Sequence, residues 1–359
     1  MYFTTIKAIS QCIDYKKLTI QLNYFIILLG DKMISQIEIF KSTSLNPYTN
    51  LATEKFLLDT VPDNTLRLFL WQNENTVVIG RNQNPWVECN CEQIVADGGF
   101  VARRLSGGGA VFHDIGNLNF TFICREENYS LDKNLAVIKK ACEYANITAE
   151  ISGRNDILVN GKKFSGNAFY HTKGKAYHHG TLLISSDAKK IERYLTPSSQ
   201  KLNAKGVKSV KSRVINLSEL SPDLTPETMS EYLIKAIENV YGIHSTPLKC
   251  IDEQITENYA EQFSRWEYIF GKTPPFSVSL GKRFAWGEIE INLNLSHGKI
   301  AEIKVFTDSL DFSLAKKTEK ALLGAEFDIS TIDRHLKKVL DKNICNDILS
   351  LIKETLVYK

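Results

Sequence analysis

At 359 residues, 43% hydrophobic and 24% charged, the chain is long enough for a full core and two domains and has the composition of a soluble globular protein. A formal net charge of +3 without a dense Lys/Arg stripe argues against a nucleic-acid partner, and no apolar run is long enough to span a membrane. Seven scattered cysteines (Cys12, Cys89, Cys91, Cys124, Cys142, Cys250, Cys345) lack metal-ligand spacing, and their odd number argues against a disulfide framework and for a reducing compartment.

Residues 1–32 carry no fold signal. They lack the small-residue cleavage site of a signal peptide and contain no arginine, which counts against a transit peptide. The fold is expected to start near Met33, leaving a dispensable extension. The cytoplasm is the expected location, with the mitochondrion as the alternative.

A β-like run over 34–40 leads through Asn46-Pro47-Tyr48 to a helix over 50–60 carrying Leu51, Phe56, Leu57 and Leu58. Strands over 66–71 and 76–80 are joined by the polar turn 72–75. Asn84-Pro85 reads as a helix start and Gly98-Gly99 as its stop, with Cys89 and Cys91 as helix residues between them. An apolar run over 100–102 then enters Arg103-Arg104-Leu105-Ser106-Gly107-Gly108-Gly109-Ala110-Val111-Phe112-His113-Asp114, and the triplet 110–112 leaves it, predicting strand, glycine loop, strand.

Three consecutive glycines let main-chain N–H groups converge on an anion, and Arg103 and Arg104 add forked donors suited to carboxylate or phosphate. A plain glycine turn flanked by surface arginines is the competing reading. No Gly-Lys-Ser/Thr follows, so this is not a P-loop; β-favouring residues follow, so it is not a dinucleotide fingerprint. The loop favours chemistry that brings an acid and a phosphate together.

A strand over 118–124 and an amphipathic helix over 133–145 come next. Residues 157–159, Asn160-Gly161 and 162–164 predict a hairpin with a type I′ turn, followed at once by Ser165-Gly166-Asn167-Ala168. A strand over 176–185 carries His178-His179 before Gly180, and a short helix over 188–195 is closed by Thr196-Pro197. Lys208, Lys211 and Arg213 read as a solvated basic loop. Thr225 caps a helix over 226–241 that Gly242 stops. Phe270-Gly271-Lys272-Thr273-Pro274-Pro275 marks a linker, beyond which strands 287–295 and 299–307 and helices 314–323, 332–340 and 347–357 follow.

In this order the segments resemble the lipoate–protein ligase A family. Thr76-Val77-Val78-Ile79-Gly80-Arg81-Asn82-Gln83-Asn84-Pro85-Trp86 is similar to its first signature, and Arg103 to Asp114, continuing to Asn119, to its lipoate-binding loop. Ser152-Gly153-Arg154-Asn155-Asp156 with Lys163-Phe164-Ser165-Gly166, and Tyr177-His178-His179-Gly180-Thr181-Leu182-Leu183, match two further blocks. The similarity continues at Leu202-Asn203-Ala204-Lys205-Gly206, Val210-Lys211-Ser212-Arg213-Val214, Trp266-Glu267-Tyr268-Ile269-Phe270-Gly271 and Val305-Phe306-Thr307-Asp308-Ser309-Leu310.

The resemblance implies an α/β (α+β) fold: a biotin/lipoate ligase-type catalytic domain over 33–272, with mixed sheets flanked by helices, and a small α+β accessory domain over 280–359. It implies ATP-dependent activation of lipoate to lipoyl-AMP, then transfer to a lysine of lipoyl domains of 2-oxoacid dehydrogenase E2 subunits or of the glycine-cleavage H protein. ATP, Mg²⁺ and lipoate are then the small partners, with no tightly bound cofactor, and the chain is expected to be a monomer. The alternative is a lipoyltransferase that uses preformed lipoyl-AMP or a lipoylated donor protein. A non-catalytic binder of lipoyl domains is a third reading.

The family's indispensable lysine falls at Lys163, whose ammonium would bridge the lipoate carboxylate and the α-phosphate. Arg104, Gly109, Ala110, Val111 and Phe112 match ATP-contacting positions; Arg103, Ser106, Gly107, Gly108, His113, Gly166 and His179 are expected with Lys163 around lipoate. Asp156, supported by Asn155, either positions a phosphate-bound Mg²⁺ or is a structural cap. His113 and His179 either shape the pocket or are core histidines, and no acidic partner for them is evident. Residues 77–79 and 120–123 either line an apolar tunnel or belong to the plain core. No cysteine matches an acyl-carrying position, so direct transfer without a thioester is expected.

Overall fold

The computed structural model describes residues 34–83, 85–153, 155–195, 214–270, 278–296, 299–327 and 329–357. The expectations for the extension, for Asn84, for Thr196-Pro197, for the similarity blocks and basic cluster at 202–213, for the linker at 271–275 and for the turn at His297-Gly298 lie outside the described residues.

The larger part is built on a seven-stranded sheet. Its strands are β1 (Gln36–Lys41), β2 (Thr65–Trp71), β6 (Asn117–Arg125), β7 (Glu150–Ser152), β8 (Asp156–Val159), β9 (Lys162–Thr172) and β10 (Lys175–Leu183), in the order β1-β2-β6-β10-β9-β8-β7. Within this sheet only β1 and β2 pair in parallel. A smaller sheet, β4-β3-β5, uses β3 (Thr76–Ile79), β4 (Phe100–Arg103) and β5 (Val111–His113), and the glycine loop joins β4 to β5.

β2 is buried at every position, because period-two alternation feeds two cores at once. Leu66, Leu68 and Leu70 face Val137 and Ile138 of α4 (Leu131–Tyr144) and Leu233 and Ile237 of α6 (Pro226–Tyr241). Phe69 and Trp71 point the other way, into a cluster with Leu51, Leu57 and Leu58 of α1 (Pro47–Asp59). Each such side chain contributes roughly 2 kcal/mol by leaving water.

The cap and stop expected for the helix over 226–241 are present, whereas the helix expected over 50–60 starts at Pro47 behind an Asn46 cap not foreseen from the sequence. Asn46 accepts from the N–H groups of Tyr48 and Thr49, and Thr225 accepts from Thr228 N–H while Gly242 ends α6 with φ 67°. The single helix expected between Asn84 and Gly98 is instead two, α2 (Pro85–Glu88) and α3 (Cys91–Ala96). Asn90 caps the second by accepting from Gln93 N–H, and Cys89 bridges to Leu195. A side-chain oxygen that captures a helix N–H here competes with continuation of the helix. The chain continues through α5 (Ala188–Tyr194), α7 (Glu253–Ser264) and α8 (Trp266–Ile269).

The C-terminal part is an antiparallel sheet of β11 (Val278–Phe284), β12 (Gly287–Ser296) and β13 (Lys299–Thr307) with α9 (Leu314–Leu322), α10 (Ile329–Leu336) and α11 (Lys342–Val357), around a core of its own. β11 and α7 were not expected from the sequence. β11 is an edge strand whose apolar alternation lapses at Gly281-Lys282-Arg283, and α7 buries only Thr256 and Phe263, too few for a periodic signal. Among the described residues no helix is long and apolar enough to cross a membrane.

Candidate active site

Asn160 (φ 52°) and Gly161 (φ 72°) make the left-handed pair that folds β8 onto β9. Two residues beyond the turn stands Lys163. Its Nζ donates to Asp156 Oδ1 at 2.7 Å across the hairpin, with both side chains partly exposed. A Cβ at Gly166 would lie 3.0 Å from Lys163 Nζ and 3.1 Å from its Cε, so the missing side chain is what lets the lysine lie flat on its own strand. Asn155 Nδ2 donates to the carbonyl of Asn167 at 3.0 Å, and Asn167 Nδ2 returns a bond to that of Asn155 at 3.1 Å, which ties the segment before β8 to β9.

The two arginines of the glycine loop have different jobs. Arg103 donates to the carbonyls of Gly80, Arg81 and Gln83 (3.1, 2.9 and 2.8 Å) and to those of Tyr268 and Ile269, which ties α8 to the end of β3. Its guanidinium lies outside the cavity described below, so it braces the site rather than meeting a ligand. Arg104 is buried and lines the cavity, donating to Ser106 Oγ (3.0 Å) and to the carbonyls of Val78, Gly107 and Gly109 (3.1, 2.7 and 2.8 Å). Burial pushes the pKa of each arginine down to about 10, so both stay cationic at neutral pH.

By gathering loop carbonyls onto its guanidinium, Arg104 leaves the amides as the groups free to face a ligand. Gly108 N–H donates to Ser309 O at 3.1 Å, from the turn after β13, while Gly109 and Ala110 N–H make no hydrogen bond among the described residues. A Cβ on Gly107 would sit 2.3 Å from that same Ser309 oxygen, so only glycine permits this close approach. Thr307 N–H to Asn82 O (2.7 Å) and Asn82 Nδ2 to Phe312 O (2.8 Å) complete the seam between the two parts.

The histidines sit on a chain of hydrogen bonds. His179 Nδ1 is 2.7 Å from Glu54 Oε1, and its Nε2 is 2.8 Å from Ser106 Oγ. Thr121 Oγ1 donates to the same Glu54 oxygen at 2.8 Å and accepts from Trp71 Nε1 at 3.0 Å. Glu54 is thus an acidic partner for His179 that sequence reasoning missed. One signal existed: a glutamate three residues after Leu51 and three before Leu57 lies on the buried face of its helix. His178 donates through Nε2 to Asn167 Oδ1 at 2.8 Å, and burial holds its pKa down at about 3.

These groups surround a cavity that is partly open to solvent. Of the residues singled out from the sequence, Lys163, Arg104, Gly108, Gly109, Ala110, Val111, His113, Asn155, Gly166 and His179 line it. Leu51, Trp71, Asn119, Asn167, Ala168, Gly180 and Thr181 line it too and were not singled out as ligand contacts, and so does Val78. Val78 alone of the proposed tunnel strands reaches it. Ser106, Gly107 and Phe112 stand behind the wall, and Asp156 touches it only through Lys163. The lining contains two cations and no carboxylate, which suits an anionic ligand. No group of three or more metal-ligating side chains occurs among the described residues. Asp156 nevertheless fits an ion carried by phosphate, since Mg²⁺ needs only one or two protein carboxylates.

Residues 46–238 match the lipoyl protein ligase A/B catalytic domain, and residues 273–356 match the bacterial lipoate protein ligase C-terminus. The chain is 42% identical to a lipoate-protein ligase A of Psychrobacter cryohalolentis, covering 82% of this chain and 89% of the relative. It is 40% identical to one of Blochmanniella floridana, covering 82% and 90%. It is also similar to the crystal structure of P. falciparum LipL1 in complex with lipoate, with a TM-score of 0.78 and 34% identity over 88% of this chain and 99% of that one. The chain belongs to the lipoate–protein ligase A family.

Proposed function

We propose that the chain is an ATP-dependent lipoate–protein ligase that converts lipoate and ATP to lipoyl-AMP and pyrophosphate, then passes the lipoyl group to a lysine ε-amine of an acceptor domain with release of AMP. The carboxylate-free cavity with Lys163 at one side and the Arg104-held glycine loop at the other carries this reading.

A carboxylate is a poor acyl electrophile, and the mixed anhydride supplies AMP as leaving group. When the carboxylate oxygen attacks the α-phosphorus, both reactants bear negative charge, so positioning and charge stabilisation are the work of the site. The Lys163 ammonium has three donors; Asp156 takes one and holds the chain in place. The other two are available to the lipoate carboxylate and the α-phosphate. The amides of Gly109 and Ala110 add donors, and buried Arg104 adds a fixed charge that needs no reorganisation. Asp156 would also hold a phosphate-bound Mg²⁺, which neutralises phosphate charge when present. In the second step Lys163 stabilises the same acyl oxygen while the acceptor amine attacks.

The acceptors implied by the family are lipoyl domains of E2 subunits and the glycine-cleavage H protein, the chain acting as a monomer in the cytoplasm. An archaeal bi-partite lipoate protein ligase of the same fold is known with its E2 lipoyl domain. The deciding experiment is lipoate-dependent ATP–pyrophosphate exchange. Wild type is expected to exchange, and Lys163→Ala is expected to lose at least about a thousandfold in rate at unchanged thermal midpoint. Transfer from supplied lipoyl-AMP without exchange would make the chain a transferase instead.

A further inference from the structure

The hydrogen-bond network behind the cavity determines which nitrogen of His113 carries the proton. Asn50 Nδ2 lies 3.0 Å from Ser44 O and 2.8 Å from Gln72 O. Main-chain carbonyls only accept, so this end of Asn50 is its NH₂, and it meets Asn73 Oδ1 at 2.9 Å. Asn73 therefore turns Nδ2 to His113 Nδ1, at 3.1 Å. Asn119 Nδ2 lies on the same side, 3.5 Å from His113 Nδ1, with its Oδ1 toward Asn117 at 3.0 Å. An amide nitrogen only donates, so Nδ1 is the acceptor and the neutral ring bears its hydrogen on Nε2. Nε2 is buried and has no partner among the described residues, in a ring that lines the cavity.

Strand order places this donor far from the lysine. His113 packs edge-on to Trp71 of β2, with ring centroids 5.9 Å apart, and beside Asn119 of β6. Lys163 lies on β9, and β6 and β10 separate β2 from β9. Three strand spacings are about 14 Å. That is comparable with an extended short fatty acid plus the reach of a lysine, so an acid held by Lys163 at its carboxylate ends near Trp71, Leu51 and His113.

We propose that His113 Nε2–H donates a hydrogen bond to a sulfur of the lipoate dithiolane ring, and so makes the site select lipoate over acids of the same length that end in hydrocarbon. The proposal rests on the reading of the chain as a lipoate ligase. Trp71 and Leu51 supply apolar contact that any ring or alkyl terminus would enjoy equally. Sulfur is a weak acceptor, but a hydrocarbon in its place leaves a buried donor with none, and a site built around a donor discriminates by that asymmetry.

The test uses lipoate, octanoate and 5-cyclopentylpentanoate, which keeps the chain and five-membered ring of lipoate and replaces both sulfurs by methylenes. In ATP–pyrophosphate exchange the full chain is expected to favour lipoate over 5-cyclopentylpentanoate about tenfold in kcat/KM, and His113→Phe is expected to bring that ratio to within about twofold. Equal use of the two acids by wild type, or an undiminished preference in a folded His113→Phe, would overturn the assignment. The wild-type comparison needs no mutant, so it decides the matter even where the substitution impairs folding. Exchange with none of the three acids would instead overturn the ligase reading, and the assignment with it.

Discussion

Lys163 holds one carboxylate and has two donors to spare, whereas one oxygen of Glu54 already serves two donors. Glu54 Oε1 receives bonds from His179 and Thr121, in a setting where water cannot replace it. Glu54→Ala is therefore expected to cost about 3 kcal/mol, because it strands two buried donors, and Glu54→Gln to recover most of that by keeping an oxygen in place. Urea unfolding of the two variants measures this; equal destabilisation by both would show that shape rather than the acceptor matters. The contrast explains what could be read at this scale. Lys163 stands two residues past an Asn-Gly turn and so carries a local signal, but Glu54 and His179 are 125 positions apart and meet only in the fold.

The β8–β9 hairpin is the element that aims the lysine. Its register pairs Asp156 with Gly166 and Leu158 with Lys163, and a shift occurs between Ile157 and Leu158. The turn enforces that register through the positive φ of Gly161. Gly161→Ala is expected to lower stability by about 1 kcal/mol, a fall of roughly 2–4 °C in Tm, and to lower exchange activity by disturbing Lys163. Differential scanning calorimetry and the exchange rate check the two parts; an unchanged rate would separate turn strain from lysine placement. Elements with caps or turns written into them, such as this hairpin and α6, were legible in advance. The break between α2 and α3 was not, since Asn90 can cap a helix or lie within one and only its neighbours choose.

Across the whole molecule, two buried histidines tie stability to pH. His113 and His178 are almost wholly buried, and desolvation pushes both pKa values down to about 3. The unfolded chain protonates them near 6.5, the native state only near 3. Their burial therefore costs nothing above pH 6.5, and stability falls as the pH drops from there toward 3, by up to about 1.4 kcal/mol per pH unit for each histidine. Urea midpoints at pH 7, 6 and 5 should decline in that order; a flat profile would mean that a proton is accommodated in the core.

The order of motifs, the glycine loop, the Asn-Gly hairpin and its lysine followed from the sequence by itself, because turns, caps and glycine runs act on neighbours in the chain. So did the family, since the ordered blocks are read without knowing how they meet. Which arginine lines the cavity and which braces α8, that Glu54 stands behind His179, and which nitrogen of His113 bears the hydrogen were decided only by the tertiary structure. Each depends on a partner supplied by a distant strand or helix, and burial makes that partner, rather than water, set the role of the side chain.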